Sequence, residues 1–464
     1  MPSSPRIYPL DPRTLTEEQI AVTFAMTSRS PEPFDQIARV VSEEKAADFH
    51  ERWVVNYGHA SVAEHAVIHM AVEDISRLAA DTLEDNRLAS YTEKSSRYQV
   101  IGKGSYHAPQ ELEAHPTLRS VYVEACEALF AAYEDLVNGL IAYLRTVKPR
   151  GEKERESAYA LRLRREATDS ARFLLPAATL TNVGVTMNAR TMEHAIAKLA
   201  SSDIAEERAL GEALKTEGRK ITPTLIKYAD ASPYLAQTRD ALRERATPLV
   251  EPLDGMQVQA KLVHYDKEAE SKVAAALLYR YANQPYEAVW QRVQSMTQEE
   301  RTAVIGEGLS RLGPHDAPVR ELEMVDYTFD LLMDYGAYRE YKRHRMQTYI
   351  PQALTVEHGY VTPKLVEDAG LAETFAEAVK RSEQAFHALW AELPLVAPYA
   401  VTHAHRRRVL AKLNLRECYH LFKLRTGPDA HFSLGDPDSG VVYQAMEAAR
   451  KAQPGLFKHL RLRR

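Results

Sequence analysis

The feature that most constrains this chain is a faint internal repeat. His59 in NYGHASVAEH matches His315 in LGPHDAPVRE, Arg87 in EDNRLASY matches Arg345 in KRHRMQTY, and Asn188 in MNARTMEH matches Asn414 in LNLRECYH. The offsets are 256, 258 and 226 residues, close to half of the 464-residue chain, and the order is the same in both halves. Three matches in register point to a tandem duplication with diverged copies. The competing reading is two unrelated helical domains. The breaker-rich stretch ATPLVEPLDGMQ at 246–257 supplies a boundary. It gives a first repeat over 1–245 and a second over 246–464.

Periodicity is mostly helical. Val121, Ala125, Leu129, Ala132, Leu136 and Leu140 recur at helical spacing and predict a helix over 117–146. Residues 190–228, 265–310 and 367–393 also read as helical, and 148–166 as a charged loop running into a helix. Strand signals are confined to AVIHMAVE (66–73) and LEMVDYTF (322–329), each followed by a helix, with Asp74 and Asp334 as N-cap candidates. The expected fold is α+β: two tandem related domains, each a small sheet flanked by long helices.

Charge and cysteine content narrow the function classes. A net charge of -5 and a pI near 6.4 give no global basic field, so nucleic acid is not expected as a partner, although HRRRVLAK (405–412) forms a local basic patch. No apolar run approaches the roughly 20 residues that span a bilayer, and the N-terminal segment lacks a signal-peptide core. Cys126 and Cys418 cannot build a disulfide framework, which favours a reducing compartment. The expected location is cytoplasmic. His403 and His405, in THAHRRRVL, alternate as metal ligands can, but no third ligand stands at a clear spacing, and no metal is expected.

Several motifs then resemble the flavin-dependent thymidylate synthases. The first half carries GHASVAEH (58–65), RLASYTEKSSRY (87–98) and MNAR (187–190); the second carries KRHR (342–345) and NLRECYHLFKLR (414–425). The family signature is Arg-His-Arg, borne on a helix, then seven residues, then Ser. The first half reads Asp85-Asn86-Arg87 and then Ser95; the second reads Arg343-His344-Arg345 and then Ala353. The losses are complementary. The second half keeps Arg343, His344, Arg345 and the late Arg425 but has Pro398 at the place of the middle arginine. The first half keeps Glu93, Ser95, Arg97, Tyr98 and the middle Arg172 but has Leu199 at the place of the late arginine. One composite site between the two repeats, first half of one copy and second half of another, would be complete, and its reciprocal would be dead. A homodimer would then mimic the family tetramer.

The resemblance implies a small-molecule nucleotide substrate, FAD as cofactor, and methylenetetrahydrofolate and NADPH as co-substrates. The implied reaction is methylation of a uridine nucleotide, dUMP to dTMP, without a cysteine nucleophile. His59 and Arg343 are the implied catalytic residues. Glu93, Ser95, Arg97, Arg172, Arg343 and Arg425 would bind the nucleotide, since a phosphate dianion needs several cationic donors. Ser61, His344, Arg345, Asn414, Arg416 and His420 would hold the flavin; Arg416 and His420, four apart, share a helix face. Glu340 stands where the family usually has Gln, and a carboxylate near a phosphate is unfavourable unless an arginine pairs with it. Each residue also has a plain alternative: His59 as a capping or packing group, and Arg97 and Arg172 as partners of local acids. The alternative function is a diverged flavin- or nucleotide-binding paralogue with another pyrimidine substrate or no activity.

Overall fold

The structure is a computed structural model that describes residues 6–56, 60–246 and 258–463. An N-terminal arm of short helices, Glu17–Met26 (α1), Phe34–Val40 (α2) and Glu43–Phe49 (α3), precedes the first repeat. That repeat runs Val67–Ser76 (β1), Arg77–Leu83 (α4), Ala89–Glu93 (β2), Pro116–Val147 (α5), Glu156–Ala171 (α6), Leu180–Asn188 (β3), Ala189–Ala200 (α7), Ala205–Gly218 (α8) and Pro233–Ala246 (α9). The second runs Ala260–Tyr265 (β4), Ala269–Ala282 (α10), Tyr286–Gln294 (α11), Gln298–Leu309 (α12), Asp326–Asp334 (β5), Tyr335–Tyr341 (α13), Thr348–Pro351 (β6), Lys364–Asp368 (α14), Ala372–Glu392 (α15), Arg406–Asn414 (β7), Leu415–Arg425 (α16), Phe432–Gly435 (α17) and Val441–Ala452 (α18).

The two sheets are separate and antiparallel. One has the order β1-β3-β2, the other β4-β5-β7-β6. Strands β5-β7-β6 repeat the β1-β3-β2 plan, and β4 is an added edge. The fold is therefore α+β, with two tandem related domains. All four strand-to-helix corners are capped by the last strand residue: Ser76 on α4, Asn188 on α7, Asp334 on α13 and Asn414 on α16. The Asn188 and Asn414 match thus has a local cause, because each Oδ1 accepts from the backbone N–H three residues on at 2.8 Å.

Several expectations need correction. The strand foreseen at 66–73 runs on to Ser76, and Ser76, not Asp74, is the cap. Asp74 sits at φ +55 within the irregularity between Val72 and Ile75, so it cannot start a helix. In the second repeat Arg320–Met324 is a 3-10 turn, and the strand begins only at Asp326. Residues 190–228 hold α7 and α8, which ends at Gly218, and 219–228 is turn instead of helix. Residues 265–310 divide into α10, α11 and α12. Strands β2, β3, β4, β6 and β7 have no counterpart in the expected strands. The 246–257 stretch lies, but for Ala246, outside the described residues.

The chain forms two compact units, each drawing on both repeats. The first comprises residues up to 127, then Ala177–Pro252 and His387–Ala400; the second comprises Ala128–Pro176, Leu253–Phe386 and Val401–Arg464. One boundary falls inside α5 and another inside α15. The core of the first unit is built by alternation. Val183, Val185 and Met187 of β3 bury against Ile68 and against Met192, Ile196 and Leu199 of α7. In the second unit, Tyr327, Phe329 and Leu331 of β5 and Val409, Ala411 and Leu413 of β7 are buried in the same alternating way. Each fully buried large apolar side chain contributes about 1.5–3 kcal/mol, and this packing holds the capped corners in place. Among the described residues no helix is long and apolar enough to cross a membrane.

Candidate functional site

Within the second unit a chain of alternating charges links both repeats. Arg172, at the end of α6, is buried and meets Asp169 Oδ1 at 3.0 Å through Nε and Glu340 Oε1 at 3.5 Å through Nη2. Arg425, the last residue of α16, reaches the other oxygen, Glu340 Oε2, at 3.2 Å, and donates from Nη2 to the Glu340 backbone carbonyl at 2.9 Å. Its Nε donates to His344 Nε2 at 3.0 Å, and His344 Nδ1 lies 3.0 Å from Glu417 Oε1. Because Nε2 accepts from a guanidinium, the proton of His344 sits on Nδ1 and is donated to Glu417. Burial holds the His344 pKa below its ordinary value, so the ring is neutral at pH 7. Glu340 is thus paired by two arginines, the condition under which a carboxylate is tolerated there.

Arg343 and Arg345 flank this network and are exposed. The Arg343-His344-Arg345 triplet, expected on a helix, occupies the turn after α13, which ends at Tyr341. Behind the network lies Asp334. It caps α13, accepting from Ala337 N–H at 2.7 Å, and complete burial pushes its carboxyl pKa up to about 6 despite the nearby Arg172.

The other end of the network opens into a cavity of about 790 Å³. Glu417, His420, Asn414 and Arg416 of α16 line it, as do His315, Lys423, His459, Arg461 and Arg463. His344 packs edge-on against His420 at 5.2 Å between centroids. Arg416 and His420 therefore do share a face, and it faces the cavity. Arg416 also has a structural occupation: it binds Glu323 at 2.7 Å, and Arg190 likewise binds Glu64 in the first repeat. The volume suits a dinucleotide-sized ligand. The cationic side chains suit phosphates, and Leu312, Met346 and Leu424 offer apolar contact to a ring. The residues present therefore fit FAD.

The loop residues belong to the first unit. Glu93 pairs with buried Arg77 at 3.0 Å, which anchors the end of β2. Glu93 and Ser95 line a cavity of about 500 Å³ with Lys94, Gln99, Asn182 and Glu73. Arg97 is half-buried, and its N–H donates to Ser95 Oγ at 3.3 Å. Ser61 is exposed on the 3-10 turn before β1; His59 lies outside the described residues. Both cysteines are buried. Burial pushes the Cys126 thiol up to about 12 and the Cys418 thiol well above its ordinary value, so neither offers a thiolate at neutral pH. His403 Nδ1 meets the Leu175 carbonyl and His405 Nδ1 meets Thr402; among the described residues no cluster of His, Cys, Asp or Glu could hold a metal ion.

The family model described as thymidylate synthase complementing protein, Thy1, matches residues 12–224 and again 261–434. The chain belongs to this family. The double match to Thy1 is the tandem duplication seen in the paired sheets. A UPF0159 protein of Chlamydia pneumoniae is 32% identical over 421 residues, covering 87% of this chain and 79% of that protein. A flavin-dependent thymidylate synthase of Clostridium tetani is 30% identical over 224 residues, covering 47% of this chain and 84% of that protein. A solved flavin-dependent thymidylate synthase from Helicobacter pylori, complexed with FAD and dUMP, shares 15% identity at a TM-score of 0.31 and covers 44% of this chain and 97% of that one.

The two Thy1 repeats treat the corresponding corner differently. In the first unit Glu206 fills it. Glu206 accepts from Ser76 N–H at 2.7 Å, from Ser76 Oγ at 2.6 Å and from Tyr399 Oη at 2.7 Å, while Thr82 Oγ1, the counterpart of Glu340, donates to Glu207 at 2.5 Å. A built-in carboxylate thus takes the donors on this side. Sequence reasoning missed Glu206, Asp334 as a perturbed acid, and the cavity residues Lys423, His459, Arg461 and Arg463. His315 had a signal, its match to His59; the terminal run KHLRLRR carries visible charge but no motif.

Proposed function

We propose that this chain is a flavin-dependent enzyme that methylates a uridine nucleotide, dUMP to dTMP, with methylenetetrahydrofolate as carbon donor and NADPH as reductant. The observation that carries the reading is the convergence of Arg172 from the first repeat and Arg425 from the second on Glu340, beside a cavity whose walls fit FAD. FAD, when bound, supplies the hydride. The chain's own residues bind and orient. Arg172, Arg425 and Arg343 hold the nucleotide phosphate. Glu93, Ser95 and Arg97, contributed by a second copy of the chain, hold the nucleotide from the other side, with His59 and Arg343 at the reacting face. Asn414, Arg416, His420, Ser61, His344 and Arg345 hold the flavin. His344, neutral and donating to Glu417, fixes Arg425 rather than moving a proton.

Glu340 favours a second reading, in which the nucleotide differs from dUMP or turnover is lost, because the carboxylate competes with a phosphate for both arginines. The test is the visible spectrum of the purified protein after FAD loading and desalting, with and without dUMP, followed by dTMP formation with methylenetetrahydrofolate and NADPH. A retained flavin spectrum that shifts with dUMP, together with dTMP, supports the first reading. A shift without product supports the second. A colourless protein refutes both.

A further inference from the structure

The large cavity is walled on one side by a segment that the family match does not reach. That match ends at residue 434, whereas His459, Arg461 and Arg463 belong to the last residues of the chain. The segment is held by apolar anchors, Phe457 and Leu460, both buried, so its course over the cavity is set by packing. The charges it brings make no ion pair with the acids already there. Glu323 pairs with Arg416, Glu417 accepts from the neutral His344 ring, and Asp316 Oδ2 accepts from Gly313 N–H at 2.8 Å, which shapes the opposite turn. Lys423 on α16 donates to the Pro314 carbonyl and so meets no acid there. Among the described residues, neither Arg461 nor Arg463 has a carboxylate within salt-bridge distance. His459 reports the resulting field: its pKa is held below the ordinary value by burial and then by the charges of Lys458 and Arg461.

We propose that the C-terminal segment is the phosphate-reading wall of this cavity: Arg461 and Arg463, with Lys423, select a ligand bearing a diphosphate over its unphosphorylated counterpart. Two guanidinium groups on one short segment are suited to grip a diphosphate from one side, because planar donors pair bidentately with phosphate oxygens. The proposal rests on the flavin reading only for the identity of that ligand as FAD. It makes the segment a specificity element that lies beyond the span of the family match.

The test titrates the full-length protein with ADP, adenosine, FAD and riboflavin by calorimetry or fluorescence. The wild type is compared with Arg461→Ala/Arg463→Ala and with Arg461→Lys/Arg463→Lys. Both positions are exposed, so the fold tolerates the change. The expected result is a loss of about tenfold or more for ADP and FAD in the alanine variant, partial retention in the lysine variant, and no change for adenosine or riboflavin. The His459 ring protons should titrate higher when ADP is bound to the wild type. ADP binding that depends on the two arginines, without FAD binding, upholds this proposal and refutes the flavin reading. FAD binding unaffected by the alanine variant refutes this proposal and leaves the flavin reading standing. A wild type that binds neither ADP nor FAD refutes it outright.

Discussion

Replacing Glu340 by Gln removes one charge from the centre of the arginine pair without changing shape. Breaking a buried ion pair by deleting one partner typically costs 3–5 kcal/mol, because the other charge is left uncompensated. Here the cost should be smaller. Arg172 keeps Asp169 at 3.0 Å, and Arg425 keeps both His344 and the Glu340 backbone carbonyl. The amide oxygen of Gln can still accept one hydrogen bond. The expected destabilisation is about 1–2 kcal/mol. The effect on an incoming phosphate has the opposite sign. Two unit charges about 4 Å apart at an effective dielectric near 20 interact by about 4 kcal/mol, and screening and relaxation reduce this to an expected gain of at least about 1.4 kcal/mol, or tenfold, in dUMP affinity. Calorimetric titration with dUMP and thermal unfolding measure the two terms on one sample. A variant that loses stability but binds dUMP no more tightly than wild type would refute the idea that Glu340 competes with a phosphate for Arg172 and Arg425.

Arg343→Ala and Arg97→Ala should each weaken dUMP binding about tenfold or more, whereas Asp85→Ala should leave it unchanged; normal binding in both arginine variants sinks the composite site. Glu206→Ala removes the acceptor of three hydrogen bonds in the first unit and should cost about 1–3 kcal/mol of stability with no loss of dUMP affinity, so weakened binding would contradict the closed-corner reading. Asp334 should make stability fall as pH rises from about 4 to 6. Its folded pKa of about 6 lies above the ordinary 3.8, so the native state holds the proton longer than the unfolded chain, and the extra stability, about 3 kcal/mol, is present below pH 4 and lost through pH 6. Urea unfolding of Asp334→Asn should lack this slope; an unchanged slope assigns it to another group.

The duplication was legible because strand-to-helix corners demand capping residues at fixed places, and Asn188 and Asn414 betray them. The long helix over Pro116–Val147 was legible from its apolar stripe. Strand β7 was not, because RRRVLAKLN places three arginines before its first apolar residue, although two of them find partners in Asp330 and the Gln352 carbonyl. Arg172, Arg425 and His344 were legible through motif likeness, and their meeting within one chain required the fold. Glu206 was illegible in principle: its role follows from what the second repeat contributes, Tyr399, nearly two hundred residues away.

That distance has a consequence for how the protein is made. The first unit needs His387–Ala400, so it cannot close when its own repeat leaves the ribosome. At 5–20 residues per second, the wait between emergence of Ala177 and of Ala400 is roughly 10–45 s. During that interval Glu206, which accepts from Ser76, lacks the Tyr399 hydroxyl. The duplicated gene therefore cannot be cut at its midpoint into two working halves: each fragment would carry a piece of the other's core and lack a piece of its own.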